Sequence, residues 1–343
     1  MNGTEIIGFV VTVALIGAAS IAAAQAPMAT LAMVKSRSTI NCGVSTGVAG
    51  FSSPDDKGNW TGLDVDFCRA MAAALFNDPS KVSFKPLTAK ERFTALQSGE
   101  IDVLSRGTTW TMSRDSVLGL SFIGVMFYDG QGFMVKKSLG VKSAKELGGA
   151  SICLLTGTTT ELNVADFFRV NNMQYKNVVF ENVNESIAAY EAGRCDVLTD
   201  DSSSLFADRT KLKNPAENIV LPEIISKEPL APAVRQGDFQ WFTLTKWVYF
   251  ALLNAEELGV NSQNVDEMSN SANPDIKRLL GKEGDYGKGI GLDNAWAYNI
   301  VKKVGNYGEI YERNVGEGSP LKVARGLNKL WNNGGLQYAP PIR

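Results

Sequence analysis

Histidine is absent from all 343 residues. That absence excludes Ser-His-Asp and Cys-His nucleophile pairs and every His-ligated zinc or iron centre. Charge of one sign is also missing, because 34 basic residues face 36 acidic ones for a formal balance of −2. Such a chain carries no electrostatic footprint for nucleic acid or for an anionic membrane surface. What is present, 44% hydrophobic and 20% charged residues, excludes disorder, a collagen-like fibre and a multi-span membrane protein. The length fits two domains.

One long stretch lacks charge altogether. It runs from Ile6 to Ala24 and ends in Ala24-Gln25-Ala26. An apolar core closed by small residues reads as a signal peptide over residues 1–26, cut after Ala24 or Ala26. Its n-region holds Glu5 and no Lys or Arg, and Pro27 follows the cut, so the alternative is an uncleaved anchor. Cys42 follows Thr39-Ile40-Asn41 rather than the end of the apolar run, which argues against a lipoprotein. The four cysteines, Cys42, Cys68, Cys153 and Cys195, fit an oxidising compartment and allow three pairings. The alternative is four buried free thiols.

The chain echoes itself. Glu, Gly, Asp, Val and Leu coincide between Glu91–Leu104 and Glu185–Leu198 at an offset of 94 residues. Each segment reads as a short amphipathic helix, a Gly stop and a strand. Upstream of each lies a Cys-bearing strand, Thr39–Val44 and Ser151–Leu155, followed by a Gly/Thr/Ser-rich loop and a helix. The repeated order predicts two α/β lobes with mainly parallel sheets flanked by helices. It also favours pairing within each half, Cys42–Cys68 and Cys153–Cys195. Each bridge would be worth roughly 3–4 kcal/mol in the chain-entropy model.

Leu63, Phe67, Ala70, Met71 and Ala74 share one helix face between Gly62 and Asn77, and Val82–Lys85 is the next strand. Gly132–Val135 reads as the strand leaving the first lobe, and Pro229 with Pro232 as a rigid connection out of the second. The expected plan is lobe 1 over 30–134, lobe 2 over 135–229, and a return to lobe 1 over 230–343 with a C-terminal helical extension. Phe239–Leu258 is apolar almost all round and is expected to be buried, whereas Asn261–Asn273 is expected to be a surface loop.

Ligands of open parallel sheets bind beyond the strands' carboxyl ends. Four loops qualify: Ser45–Thr61, Arg106–Arg114, Thr156–Glu161 and Thr199–Ser203. Gly and Thr suit an anion, Arg grips a carboxylate with two parallel bonds, and paired acids suit an ammonium. Arg114 from one lobe and Asp201 from the other would hold a zwitterion between them. The plainer alternatives are a capped helix start at Thr156–Glu161, an N-cap at Asp201 and a solvated Arg114.

Four stretches then carry a family resemblance. They are Arg106-Gly107-Thr108-Thr109-Trp110-Thr111-Met112-Ser113-Arg114, Tyr128-Asp129-Gly130-Gln131-Gly132, Gly62-Leu63-Asp64-Val65-Asp66-Phe67-Cys68-Arg69 and Gly305-Asn306-Tyr307-Gly308-Glu309. Together they resemble the periplasmic solute-binding proteins of polar amino-acid ABC importers, in the general L-amino-acid branch, over essentially the whole mature chain. The resemblance implies a two-lobed periplasmic-binding-protein fold of type II, closing on one amino acid in the cleft. It implies a soluble periplasmic monomer that serves an inner-membrane permease, with no cofactor, no metal and no catalytic residue.

By position in the family, Arg114 would hold the ligand α-carboxylate with Thr109, the backbone at Gly107, and Thr159 from the other lobe. Asp201 would accept the α-ammonium. Ser45 stands where basic-ligand binders carry an acid and acidic-ligand binders an Arg, and Val48 replaces a stacking aromatic. Arg92 falls where acidic-ligand binders have an Arg facing the side-chain carboxylate, its alternative being an exposed helix arginine. The expectation is a broad site favouring Glu, Gln, Asp and Asn, at micromolar affinity, about −8 kcal/mol. The rivals are a carboxylate-using dehydratase on the same scaffold and a tethered amino-acid-sensing ectodomain.

Overall fold

The computed structural model describes residues 29–343, so the apolar Ile6–Ala24 segment and its expected cleavage site lie outside the described residues. Helix α1 (Thr30–Arg37) precedes β1 (Ile40–Val44), the ribbon β2 (Ser53–Pro54) and β3 (Trp60–Thr61), and α2 (Leu63–Phe76). The first lobe continues with β4 (Val82–Pro86), α3 (Arg92–Ser98), β5 (Val103–Leu104), α4 (Met112–Ser116) and β6 (Leu120–Phe122). The chain crosses on β7 (Phe127–Asp129). It builds lobe 2 from β8 (Gln131–Lys136), β9 (Ser151–Leu155), α5 (Thr159–Val170), β10 (Lys176–Phe180), α6 (Val183–Glu191), β11 (Val197–Asp201), α7 (Ser202–Arg209) and β12 (Asn218–Val220). It returns on β13 (Glu228–Leu230), then adds β14 (Ala233–Arg235) and α8 (Phe239–Glu257).

Two five-stranded sheets result, in the orders β4-β1-β5-β14-β6 and β10-β9-β11-β8-β12. In each, the second strand of that order, β1 or β9, pairs in parallel with its two neighbours. The fourth strand of each runs antiparallel to the third. The crossings β7 and β13 pair with each other as an antiparallel ribbon. The strand Gln131–Lys136, expected to lead out of lobe 1, belongs to the second sheet, so the first crossing lies ahead of it at Phe127–Asp129. Its continuous apolar run fits either sheet, because both faces of both sheets are covered.

The cores follow from alternation along the strands. In lobe 2, Met134, Cys153 and Leu198 point into one cluster, while Phe133, Val135, Ile152 and Val197 point into the other. In lobe 1, α2 packs between the sheet, α8 and the helix Trp296–Lys303, and is buried from Leu63 to Ala74 except at Arg69. Its start requires glycine. Gly62 has φ +132°, and a Cβ there would stand 2.0 Å from the Phe51 carbonyl oxygen. Disulfides Cys42–Cys68 and Cys153–Cys195 close separations of 26 and 42 residues, one within each lobe. Cys42 lies on β1 and Cys68 on α2, so the first bridge staples sheet to helix.

Two expectations for the last third are corrected. Asn261–Asn273 contains a short helix, Val265–Met268, because Val265 is buried beneath it. Beyond Tyr307–Asn314 the extension is not helical but irregular with single turns at Gly326–Asn328 and Trp331–Asn333. Gly316, Gly318, Pro320, Gly326, Gly334, Gly335, Pro340 and Pro341 interrupt it too often for a helix. This tail lies against the first crossing. The Asn328 amide accepts from the Tyr128 N–H at 2.7 Å and donates to the Tyr128 carbonyl at 3.1 Å. Gln337 Nε2 donates to the Val125 carbonyl at 3.0 Å, and the Tyr307 hydroxyl to the Met126 carbonyl at 2.7 Å. Among the described residues, no helix is long and apolar enough to cross a membrane.

Candidate functional site

All four loops singled out in the sequence meet around one cavity between the lobes. Lobe 1 lines it with Ser45 and Val48 beyond β1, and with Arg106, Gly107 and Thr109 beyond β5. Lobe 2 lines it with Thr158, Thr159 and Thr160 at the start of α5, and with Asp200 and Asp201 at the end of β11. Arg92 joins them from the first turn of α3. The lobes touch across this cleft, with Thr109 Oγ1 3.3 Å from Thr159 Oγ1 and an exposed Lys90–Glu181 ion pair at 2.9 Å. Lys211 Nζ also donates to the Gly47 carbonyl at 2.8 Å.

Lobe 1 brings the cations. Arg92 is 3% exposed, and its one hydrogen bond among the described residues is Nη1 to Thr108 Oγ1 at 3.4 Å. Its Nε has no hydrogen-bond partner among the described residues. Burial, and next the guanidinium groups of Arg106 and Arg114, push its pKa well below the ordinary arginine value. A buried guanidinium this poorly served needs an anion. Arg106 donates Nε–H to the Leu87 carbonyl at 2.9 Å, and burial lowers its pKa to about 10.

Arg114 is buried rather than solvated, but it is not among the residues lining the cavity. Its Nη1 donates to the Thr109 carbonyl at 2.7 Å, which props the Gly107–Thr109 loop from behind the site. Arg92 and Arg114 both stack on the Phe93 ring, at 4.7 and 5.1 Å from its centroid.

Lobe 2 brings the anions. Asp201 occupies the N-cap position of α7, yet its side chain makes no capping bond. Burial raises its pKa well above the carboxylate range, and the charges of Asp129, Asp200 and Glu228 raise it further. Asp200 is pushed up to about 7, first by burial and then by Asp208. Asp129, at the end of β7, is raised to about 6 by burial, against hydrogen bonds from the Ser203 hydroxyl and N–H. Buried carboxyls crowded together with raised pKa values are a site that a cationic group would relax.

The capping alternative holds in one loop. Thr158 caps α5, its hydroxyl accepting from the Glu161 N–H at 3.4 Å. The neighbouring Thr159 hydroxyl is thereby left to face the cleft. Ser45 also lines the cavity, but its hydroxyl is taken up by Ser52, with Oγ···Oγ 2.7 Å, and by the Val48 N–H at 3.2 Å. It shapes the loop more than it offers a ligand contact. Gly107 holds φ +49°, a turn that an L side chain would strain.

Three cavity or cleft residues escaped the reading of the sequence. Asp64, on α2, has Oδ2 unpartnered among the described residues, and burial raises its pKa to about 7. Its place in the first turn of a helix is the usual one for an acid, which hid it. Arg106 was quoted only as the start of a loop. Glu228 is 1% exposed on β13 and accepts from Thr109 Oγ1 at 2.6 Å, Thr159 Oγ1 at 3.0 Å, Asn163 Nδ2 at 2.7 Å and Ser226 Oγ at 2.6 Å. No local pattern marks it, since those partners come from both lobes.

Residues 40–242 match the family model described as bacterial extracellular solute-binding proteins, family 3. The chain belongs to that family. As a family 3 solute-binding protein, it is 64% identical to the general L-amino acid-binding periplasmic protein AapJ of Rhizobium johnstonii, over 96% of this chain and 98% of the relative. It is 52% identical to the glutamate/glutamine/aspartate/asparagine-binding protein BztA of Rhodobacter capsulatus, over 95% of this chain and 96% of the relative. A solved ABC-transporter periplasmic binding protein from Brucella ovis, with glutathione bound, matches with a TM-score of 0.90 and 60% identity, over 92% of this chain and 99% of that one. The resemblance read from the sequence and the two-lobed binding-protein fold are both borne out, and the first two of these relatives are named as amino-acid-binding proteins.

Proposed function

We propose that this protein binds L-amino acids of a broad polar range, with acidic and amide side chains favoured, and delivers them to a membrane permease from the periplasm. The observation that carries the reading is the opposition across one cleft. Poorly partnered guanidinium groups on lobe 1 face crowded carboxyls on lobe 2, and a zwitterion satisfies both. Asp201 takes the α-ammonium. Arg92 and the backbone at Gly107 take carboxylates, with Arg114 propping the loop that presents them. A ligand that touches both lobes favours the closed arrangement by its differential contacts, and closure makes the surface that a permease reads. Working as an exported soluble monomer fits this role, and the chemistry is binding rather than turnover.

A thermal-shift panel tests it, with the twenty L-amino acids and glutathione, which a Brucella ovis relative holds. At 100 times its dissociation constant a ligand adds about 2.7 kcal/mol of stability. Shifts with several polar L-amino acids, lost in Asp201→Asn and reduced for the acidic ones in Arg92→Ala, support the reading. No shift with any amino acid overturns it. Asp64 and Asp200 favour a second reading, elimination by a carboxylic acid, because acids with pKa values of about 7 in the cleft can exchange protons at neutral pH. Turnover of an arogenate-like substrate, lost in Asp64→Asn, would establish it.

A further inference from the structure

Glu228 is the only residue of the second crossing whose side chain reaches both lobes among the hydrogen bonds of the described residues. It takes Thr109 from lobe 1, Thr159 and Asn163 from α5 of lobe 2, and Ser226 from its own segment. The other contacts across the cleft differ in kind. Lys90–Glu181 joins side chains that are 67% and 62% exposed, where an ion pair contributes little, and Lys211, already paired with Asp208, reaches only a backbone oxygen. The Glu228 cluster is buried and charge-assisted.

The protons decide what this cluster does. An ionised carboxylate only accepts, and a hydroxyl has one proton to give. Thr109 Oγ1 and Thr159 Oγ1 both lie within hydrogen-bond distance of the same oxygen, Glu228 Oε2. Asn163 and Ser226 occupy Oε1. With their protons directed at Glu228, both threonine hydroxyls turn lone pairs toward the cavity they line.

We propose that Glu228 is a positioning residue of the cleft. It fixes the Thr109 and Thr159 hydroxyls as acceptors, so that they read N–H groups of the ligand rather than its carboxylate, and in the same bonds it fastens one lobe to the other. This revises the role that family position gives the two threonines. The ligand carboxylate is left to guanidinium and backbone N–H groups, while the ammonium gains two hydroxyl acceptors beside Asp201. The specificity half of the proposal rests on the amino-acid reading above. The fastening half does not.

The test therefore has two arms. In the first, L-glutamate and glutarate, which share a carbon skeleton and differ by the α-ammonium, are titrated calorimetrically into the wild type and Glu228→Gln. The glutamine amide supplies a donor of its own, so one hydroxyl proton turns back to the cleft. The expected result is a preference for glutamate over glutarate that falls about tenfold in the variant. An unchanged preference, or equal weakening of both ligands, overturns the specificity claim.

In the second arm, small-angle scattering compares the ligand-free wild type with Glu228→Ala and Thr109→Val. Larger radii of gyration in both variants, at unchanged secondary structure, are expected. Identical curves overturn the fastening claim. If the wild type binds neither compound, the amino-acid reading fails at this ligand, and scattering alone decides the role of Glu228.

Discussion

The two lobes share a plan and differ in sign. Each sheet sets one strand, β1 or β9, between two parallel neighbours and receives an antiparallel strand delivered by a crossing. Both present their strand ends to the same cleft. Lobe 1 places Arg92, Arg106 and the supporting Arg114 there, and lobe 2 places Asp200 and Asp201. The scaffold fixes where a ligand goes, and the residues at the strand ends fix its charge pattern. A ligand carrying one sign of charge relieves only one lobe. One carrying both signs, set a few bonds apart, relieves both, which is why opposite charges were kept on separate bodies. Asp64 is the exception, an acid on the cationic side, held by the Ser105 hydroxyl at 3.2 Å.

The comparison breaks first on stability. Replacing either cysteine pair with alanine is expected to cost about 3–4 kcal/mol, with unfolding followed by chemical denaturation. Because neither bridge crosses the cleft, each loss should reach one lobe's core and leave ligand selectivity intact. A change in ligand ranking would show that the lobes are not independent bodies.

Removing one sign of charge comes next. Asp201→Asn is expected to weaken L-glutamine and L-glutamate alike by about a hundredfold, because the ammonium loses a desolvated partner. Arg92→Ala is expected to weaken L-glutamate by about tenfold and L-glutamine much less, since the amide needs no counter-charge. Calorimetric titration of both ligands against both variants checks the pair. Equal losses for the two ligands in Arg92→Ala would place that guanidinium on the α-carboxylate instead of the side chain.

The smallest effect is linked to pH. Asp64 and Asp200 carry folded pKa values of about 7, above the ordinary aspartate value of 3.8. Between those limits the native state holds protons that the unfolded chain releases. These groups therefore stabilise the ligand-free protein at low pH, and their contribution is lost as pH rises toward 7. Binding runs the opposite way, because an ammonium is held by ionised carboxylates. Ligand-induced thermal shifts should grow from pH 5 to pH 8 while the ligand-free melting temperature declines. A titration in buffers of different ionisation enthalpy should show proton release on binding below pH 7. Constant proton uptake instead would separate the acid cluster from the ligand.

Much of this was legible because it is local. The echo at an offset of 94 residues marks α3 with β5 and α6 with β11, and Gly99 and Gly193 stop the two helices at positive φ. Residues Ser151–Leu155 and the helix from Phe239 also follow from patterning alone. Asp201 stands out as one of two adjacent acids after a strand, whereas Arg92 is marked only by the position it shares with the resembling family, since its spacing alone fits an exposed helix arginine. Glu228 was not legible, since its partners in the two lobes lie 65 to 119 residues away in sequence and Lys-Glu-Pro reads as a plain connector. Arg114 reads in the sequence as a grip on the ligand α-carboxylate or as a solvated surface arginine; it is buried, and where its guanidinium ends depends on the Thr109 carbonyl, which no spacing reveals. The crossing was misplaced by a few residues because Gln131–Lys136 is equally apolar on both faces.

The tail beyond Val315 lines no part of the cavity, yet it bears on how the first crossing is held. Asn328 meets both backbone groups of Tyr128, and Gln337 holds the Val125 carbonyl. The outer edge of the first crossing is thus bolted, through side chains, to the body that carries the C-terminus. Lobe 1 with its tail is the door frame, and lobe 2 is the leaf hung on it.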